Sequence, residues 1–279
     1  MIIRRVVISC FFLILACFVC DSAQVDSVSA NRLGEMLERY YDAMLPMELS
    51  EKEGECDFLI SSCKDSLVRQ YVATSILKHY MDPPLMGEES VAIYLYEKWF
   101  ESGIVKFADD SDAFFSEMFY TFNRQSLVDM PALPMDLYDM YGNIHSVPRH
   151  GIPCVLFFYE PTCSKCQLYI QRLPAVLNAV DYPLNFYAVN TGSDENAWHG
   201  FVEKFNIGDG KVSVVHLWDP EIESNYQKKY GVTSTPKMFF IDEGGIILGR
   251  RLDVDALDQI LNIYRDYYKT TNQLSYGQE

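Results

Sequence analysis

Two cysteines, Cys163 and Cys166, stand three apart in Pro161-Thr-Cys-Ser-Lys-Cys-Gln-Leu-Tyr-Ile170. At the first turn of a helix, residues i and i+3 share a face, so two thiols there close a small disulfide with little backbone movement. The unpaired N–H groups and the dipole of that helix end favour a thiolate, which makes the first cysteine a nucleophile. The chemistry implied is thiol–disulfide exchange. Zinc needs a second cysteine pair or nearby histidines. The five histidines (His79, His145, His150, His199 and His216) are scattered without ligand spacing, and Cys154 belongs to the preceding strand. No metal and no cofactor are expected. An inert staple is the plainer alternative, although so small a loop is more common in redox switches.

The elements that must hold this pair are legible around it. Cys154–Tyr159 is an apolar, aromatic run that reads as a buried strand, stopped by Pro161. Upstream, Leu137 to Val147 reads as two short strands around the Gly142-Asn143 turn. Downstream come a strand Leu184–Asn190, a helix Glu195–Phe205, a strand Val212–Leu217 and a helix Glu221–Tyr230. Lys237–Ile241 and Ile246–Arg250 flank Asp242-Glu-Gly-Gly245, a hairpin signature, and a last helix runs from Val254 to about Tyr268. Strands alternating with helices and then a hairpin imply an α/β domain with a mixed central sheet flanked by helices.

Residues 24–133 have a different texture. Leu33, Met36, Leu37, Tyr40, Tyr41, Met44 and Leu45 recur at three and four, the signature of one helix face. Leu67 to Tyr80 makes a second stripe, and Val91, Leu95, Trp99 and Phe100 a third. Phe114, Phe115, Met118, Phe119 and Phe122 begin a fourth after a Ser111 cap. Such aromatic and methionine stripes read as core or helix–helix contacts. An all-α domain of unknown role is therefore expected over 24–133, and the proline-bearing Met130–Pro134 stretch marks its boundary with an α/β domain over 134–279.

Met1–Arg5 carries two arginines, and Val6–Cys20 is an uncharged run of fifteen residues, apolar throughout except for Ser9. That suits a signal-peptide core better than a membrane span of about 20 residues. Two processing routes compete: a signal peptide over 1–23 cut near Ser22 or Ala23, or a lipoprotein signal over 1–16 with Cys17 lipidated. The remainder is expected in the periplasm or cell envelope, where disulfides are permitted. Five cysteines follow the signal, so at least one is unpaired. Cys154 reads as an inert hydrophobe. Cys56 and Cys63 lie seven apart, about 10 Å along one helix, so a bridge between them requires a turn. The net charge, 23 − 39 = −16, argues against nucleic acid and anionic membrane surfaces as partners.

Several motifs together carry a family likeness. Residues 134–270 resemble the thioredoxin superfamily, most closely its TlpA-like envelope branch. The motifs run in order: a strand, Cys163-Ser-Lys-Cys166, Tyr230-Gly-Val-Thr-Ser-Thr-Pro236, then Phe239-Phe-Ile-Asp-Glu-Gly-Gly-Ile-Ile-Leu. The resemblance implies an α/β thioredoxin-like fold, Cys163 as attacking thiol and Cys166 as buried resolving thiol. It also implies a cis bond before Pro236, facing the disulfide, with Thr235 presenting its backbone to a substrate strand. The chain departs from the pattern at four places. Thr162 replaces a tryptophan, and Phe157 replaces the buried aspartate of thioredoxin, for which Glu160 is one substitute. Pro174 falls eleven residues after the first cysteine rather than eight, and Ser-Lys separates the cysteines. Lys165 favours the Cys163 thiolate if its ammonium stays close.

The expected activity is thus that of an exported thiol–disulfide oxidoreductase. Its partners would be protein disulfides or dithiols and an upstream thiol redox partner, with membrane contact only through a lipid anchor at Cys17. The alternative is a non-catalytic binding or envelope-structural module on the same scaffold. A peroxide-reducing enzyme fits less well, because Pro161-Thr162-Cys163 lacks the Thr-x-x-Cys spacing such enzymes use.

Overall fold

The computed structural model describes residues 27–276 except 206, 208 and 209, with side chains described between 29 and 270. The expected signal segment 1–23, with Cys17, lies outside the described residues. The chain divides into two compact units, residues 1–121 and 122–279. The division falls ahead of the Met130–Pro134 stretch because that stretch is tied to the second unit. Asp129 N–H donates to Ile247 O at 2.9 Å, Ala132 N–H to Gly245 O at 2.8 Å, and Pro131 bridges Ile246.

The first unit is helical: α1 Ser27–Met44, α2 Leu49–Ser62, α3 Ser66–Met81, α4 Glu89–Leu95 and most of α5, Asp110–Asn123. The periodic positions of α1 and α3 are the core. Leu33, Leu37, Tyr40, Tyr41 and Met44 pack with Val68, Val72, Ile76 and Tyr80. Asp65 starts α3 by accepting from the N–H groups of Leu67 and Val68 at 2.8 and 3.0 Å, two of the donors a helix start leaves unpaired. α4 runs on through a π-helical turn, Tyr96–Glu101, and stops at Gly103, whose φ is +76°.

Two expectations change here, and one helix goes unannounced in the sequence. Helix α2 has no apolar stripe to announce it, because part of its inward face is charged. Lys52 and Glu55 are buried; Lys52 pairs with buried Glu88, and Glu55 accepts from the Tyr40 hydroxyl. The fourth stripe is core only in part: Phe119 packs against the helical core, but its first residues do not. Phe114 and Phe115 of α5 are 57% and 60% exposed. The cap of α5 is Asp109 rather than Ser111, its carboxylate accepting from Asp112 N–H at 2.9 Å.

The second unit is built on a seven-stranded mixed sheet: β1 Met135–Asp139, β2 Ile144–Val147, β3 Cys154–Tyr159, β4 Leu184–Asn190, β5 Val212–Trp218, β6 Lys237–Ile241 and β7 Ile247–Gly249. Its order is β2-β1-β5-β4-β3-β6-β7. β3, β4 and β5 are parallel, β6 runs antiparallel to β3, and β1 runs antiparallel to β5. β3 lies inside the sheet and all six of its residues are buried, which is why its sequence is a continuous apolar run rather than an alternation. Val155, Phe157 and Tyr159 face one core layer. Cys154, Leu156 and Phe158 face the other.

Helices α6 Ser164–Asn178, α7 Glu195–Lys204, α8 Tyr226–Tyr230 and α9 Val254–Tyr276 complete this unit. The helix expected over 221–230 is shorter. Ile222 and Asn225 take φ of +61° and +59°, and Asp219 holds the N–H groups of Glu223 and Ser224 at 2.8 and 3.0 Å. A carboxylate that captures local backbone donors competes with helix start, so α8 begins only at Tyr226.

Candidate active site

Strand β3 delivers the chain to the sheet's interior and ends at Tyr159. Glu160, Pro161 and Thr162 make the turn that aims it into α6. Cys163 sits at the N-cap of α6, extended at φ −73° and ψ 121°, and its own N–H donates to Glu160 O at 3.1 Å. Cys166 follows within the first turn, fully buried, while Cys163 is partly exposed. The turn is fastened from both sides. Gln167 Nε2 donates to Pro161 O at 3.1 Å, and Thr162 Oγ1 donates to the Glu160 carboxylate at 2.8 Å.

The second half of the site comes from far along the chain. α8 ends at Tyr230, and Gly231 takes φ +63° to turn the chain away from it. A short loop then reaches Thr235 and Pro236, whose connecting peptide bond is cis, immediately before β6. Since β6 pairs with β3, the loop is brought against the start of α6. Cys163 Sγ donates to Thr235 O at 3.6 Å. A second cis bond, Val147–Pro148, follows the last residue of β2. Nothing in the sequence reading had singled it out.

The electrostatics divide the two thiols. Burial raises the Cys163 thiol, but the N–H of Cys166 outweighs it with help from the Cys166 thiol, the N–H of Lys165 and Thr235. The net result is a thiol below its ordinary value. The ammonium of Lys165 is not among these causes. It lies over the Tyr169 ring, 5.9 Å from the centroid, while the backbone N–H of Lys165 is the part that acts among the largest causes. Cys166 moves the other way. Burial pushes it up to about 12, against donors from Glu160 N–H and Thr235. A partly exposed thiol that ionises more readily than usual and a buried thiol that resists ionising therefore share one helix turn.

Residues 142–262 match the family model of a thioredoxin-like domain. The second unit carries a thioredoxin-like domain. A solved thioredoxin-like protein from Bacteroides caccae is similar in fold across both units, with a TM-score of 0.65 over 82% of this chain and 82% of that chain at 14% identity. The thioredoxin domain of a thiol-disulfide oxidoreductase from Bacteroides vulgatus is 21% identical, covering 49% of this chain and 96% of that one, with a TM-score of 0.43. No curated protein matches the chain by sequence.

Within the thioredoxin-like domain, Pro174 lies inside α6, which continues past it to Asn178. Cys154 is buried at the opposite end of β3, with its thiol raised by burial, as suits a packing residue. Cys56 and Cys63 are both free. Cys56 lies within α2 and Cys63 caps its end, so no turn intervenes to bring them together, and Cys63 Sγ donates to Leu59 O instead. Among the described residues no cluster of side chains suits a metal ion, and no helix is long and apolar enough to cross a membrane.

Proposed function

We propose that this protein is an exported thiol–disulfide oxidoreductase of the TlpA-like type, exchanging disulfides with envelope proteins through Cys163 and Cys166. The observation that carries this is the unequal pair itself: a lowered, partly exposed thiol at a helix N-cap, one turn from a buried thiol, beside the Thr235 carbonyl. Cys163 thiolate attacks one sulfur of a partner disulfide, forming a mixed disulfide and expelling the other partner sulfur as a thiolate. Cys166 then loses its proton and attacks Cys163 Sγ. The bond between Cys163 and the partner breaks, the partner leaves reduced, and Cys163–Cys166 is left oxidised. An upstream dithiol restores it. The chain on either side of the cis bond gives a substrate strand a backbone to pair with at Thr235. The apolar run at 6–20 supports export, with Cys17 as the alternative lipid attachment site.

The test uses Cys166→Ala and Cys163→Ser side by side with an oxidised protein substrate. Cys166→Ala should accumulate mixed disulfides that survive alkylation, and Cys163→Ser should form none and lose turnover. Full turnover by Cys163→Ser would show that the nucleophile is elsewhere. A pair with no reversible two-electron couple would leave a binding module on this scaffold.

A further inference from the structure

Tyr159, Asn190, Trp218 and Tyr138 stand in one row across the sheet. The register pairs Tyr159 of β3 with Asn190 of β4, Asn190 with Trp218 of β5, and Trp218 with Tyr138 of β1. Because β3, β4 and β5 are parallel, this row marks their common carboxyl end, the end at which open α/β sheets bind their ligands. Cys163 follows Tyr159 by four residues at that same end. With neighbouring strands about 4.8 Å apart, Trp218 lies about 10 Å and Tyr138 about 14 Å along the row from Tyr159.

A cavity of about 280 Å³ opens at Trp218. Asp136, Tyr138, Asp219, Glu221 and Glu223 help to line it, and no lining residue is basic. The Asp219 carboxylate is already occupied by the N–H groups of Glu223 and Ser224 at 2.8 and 3.0 Å. Asp136, Glu221 and Glu223 are exposed, and no ion pair neutralises them among the described residues. Like charges around one concavity add their fields and draw in a cation. The aromatic wall is rigid. Trp218 Nε1 donates to Gly192 O at 2.7 Å, and the ring stacks on Trp198 with centroids 5.1 Å apart. Gly192 in turn packs against Glu160, whose Cγ lies 2.9 Å from where a Cβ would sit. The cavity wall is thereby tied to the turn that carries Thr162 and Cys163. Ring faces attract cations through their quadrupole, and arginine also stacks on them.

The sheet face around the cavity is bare. Met135, Leu137 and Val147 belong to a buried core layer, whereas Asp136, Tyr138, Ile144 and Ser146 on the other face are all exposed. Tyr138 and Ile144 are direct cross-strand partners, so they form one apolar patch on β1 and β2. A small free amine would leave that patch uncovered. A polypeptide would not.

We propose that this cavity receives a lysine or arginine side chain of the protein substrate, whose neighbouring apolar residues cover Tyr138 and Ile144. The inference rests on the oxidoreductase reading and adds a substrate class to it: chains with a basic residue near the cysteine that Cys163 attacks. An extended chain advances about 3.3 Å per residue, so about four to six residues separate that cysteine from the basic side chain.

The probes are homodisulfides of a synthetic peptide with one cysteine and, five residues away, either arginine or glutamine. Attack by Cys163 joins one peptide to the protein and releases the other as a thiol, and Cys166→Ala in the full chain holds that product for counting. The arginine peptide should react about tenfold faster than the glutamine peptide at low ionic strength, and the ratio should shrink in about 0.5 M salt. Asp136→Asn, Glu221→Gln and Glu223→Gln together should bring the ratio to about one. Asp255→Asn, Asp258→Asn and Asp266→Asn, three exposed carboxylates of α9, should preserve it, which separates the cavity from the overall charge of −16. Equal rates for both peptides with the parent, or a tenfold ratio that survives in the cavity variant, would overturn the proposal and leave the oxidoreductase reading standing. A parental dimer that the cavity variant dissolves would place a second copy there and overturn it as well. A parent that forms no mixed disulfide with either peptide would overturn both readings.

Discussion

Cys163 Sγ lies 3.6 Å from the carbonyl oxygen of Thr235, a residue 72 positions further along the chain. The contact exists because β6 pairs antiparallel with β3, placing the start of one strand beside the end of the other. It puts the Cys163 sulfur next to a backbone acceptor.

Alkylation of reduced Cys163 should titrate below the ordinary thiol value of 9.0, while Cys166 stays unreactive until well above it. The folded thiol is depressed relative to the unfolded one. Its contribution to the stability of the reduced protein is therefore present above the unfolded value and is lost as pH falls through the folded value. Because backbone N–H groups cause the shift, Lys165→Met should move the midpoint by no more than a few tenths of a pH unit. Rates of iodoacetamide modification against pH check both statements. A midpoint at or above 9.0, or one that follows Lys165, would contradict them.

Gly231→Ala should destabilise the thioredoxin-like domain by about 1–3 kcal/mol and slow mixed-disulfide formation. The backbone there has φ +63°, and an added Cβ would sit 2.6 Å from Phe122 O. The loop to Thr235 starts at this glycine, so strain is relieved by moving the loop away from Cys163. Thermal unfolding and trapping kinetics on the same variant measure the two effects. A variant as stable as the parent would show the position tolerates a side chain.

Lys52→Met should destabilise the helical unit by about 3–5 kcal/mol, since it strands Glu88 as a buried, uncompensated charge. Replacing both partners, Lys52→Met with Glu88→Leu, should recover most of that loss, because two apolar side chains carry no desolvation cost. Denaturant unfolding of the single and double variants closes the cycle. Equal loss in both would mean the pair acts through packing alone.

Local signals were sufficient for much of this protein. β3, β4 and β6 fall at the residues their apolar runs delimit, and α1 and α3 bury most of the stripes their periodicity marks, Leu45 beyond the end of α1 being exposed. Helix α2 was silent because its buried face carries Lys52 and Glu55, whose partners Glu88 and Tyr40 lie on other elements. Phe114 and Phe115 misled in the opposite sense, since periodicity identifies a face but not what the face meets.

The sequence by itself determined the three-residue spacing of Cys163 and Cys166 and its strand-to-helix setting, because spacing within one turn and apolar runs are properties of adjacent residues. Only the tertiary structure decided how burial and backbone donors separate the two thiols, and that the ammonium of Lys165 lies over the Tyr169 ring. Those depend on burial and on contacts between segments far apart in the chain. Burial depth and long-range pairing are set by how the sheet and helices pack together, and no local spacing encodes them.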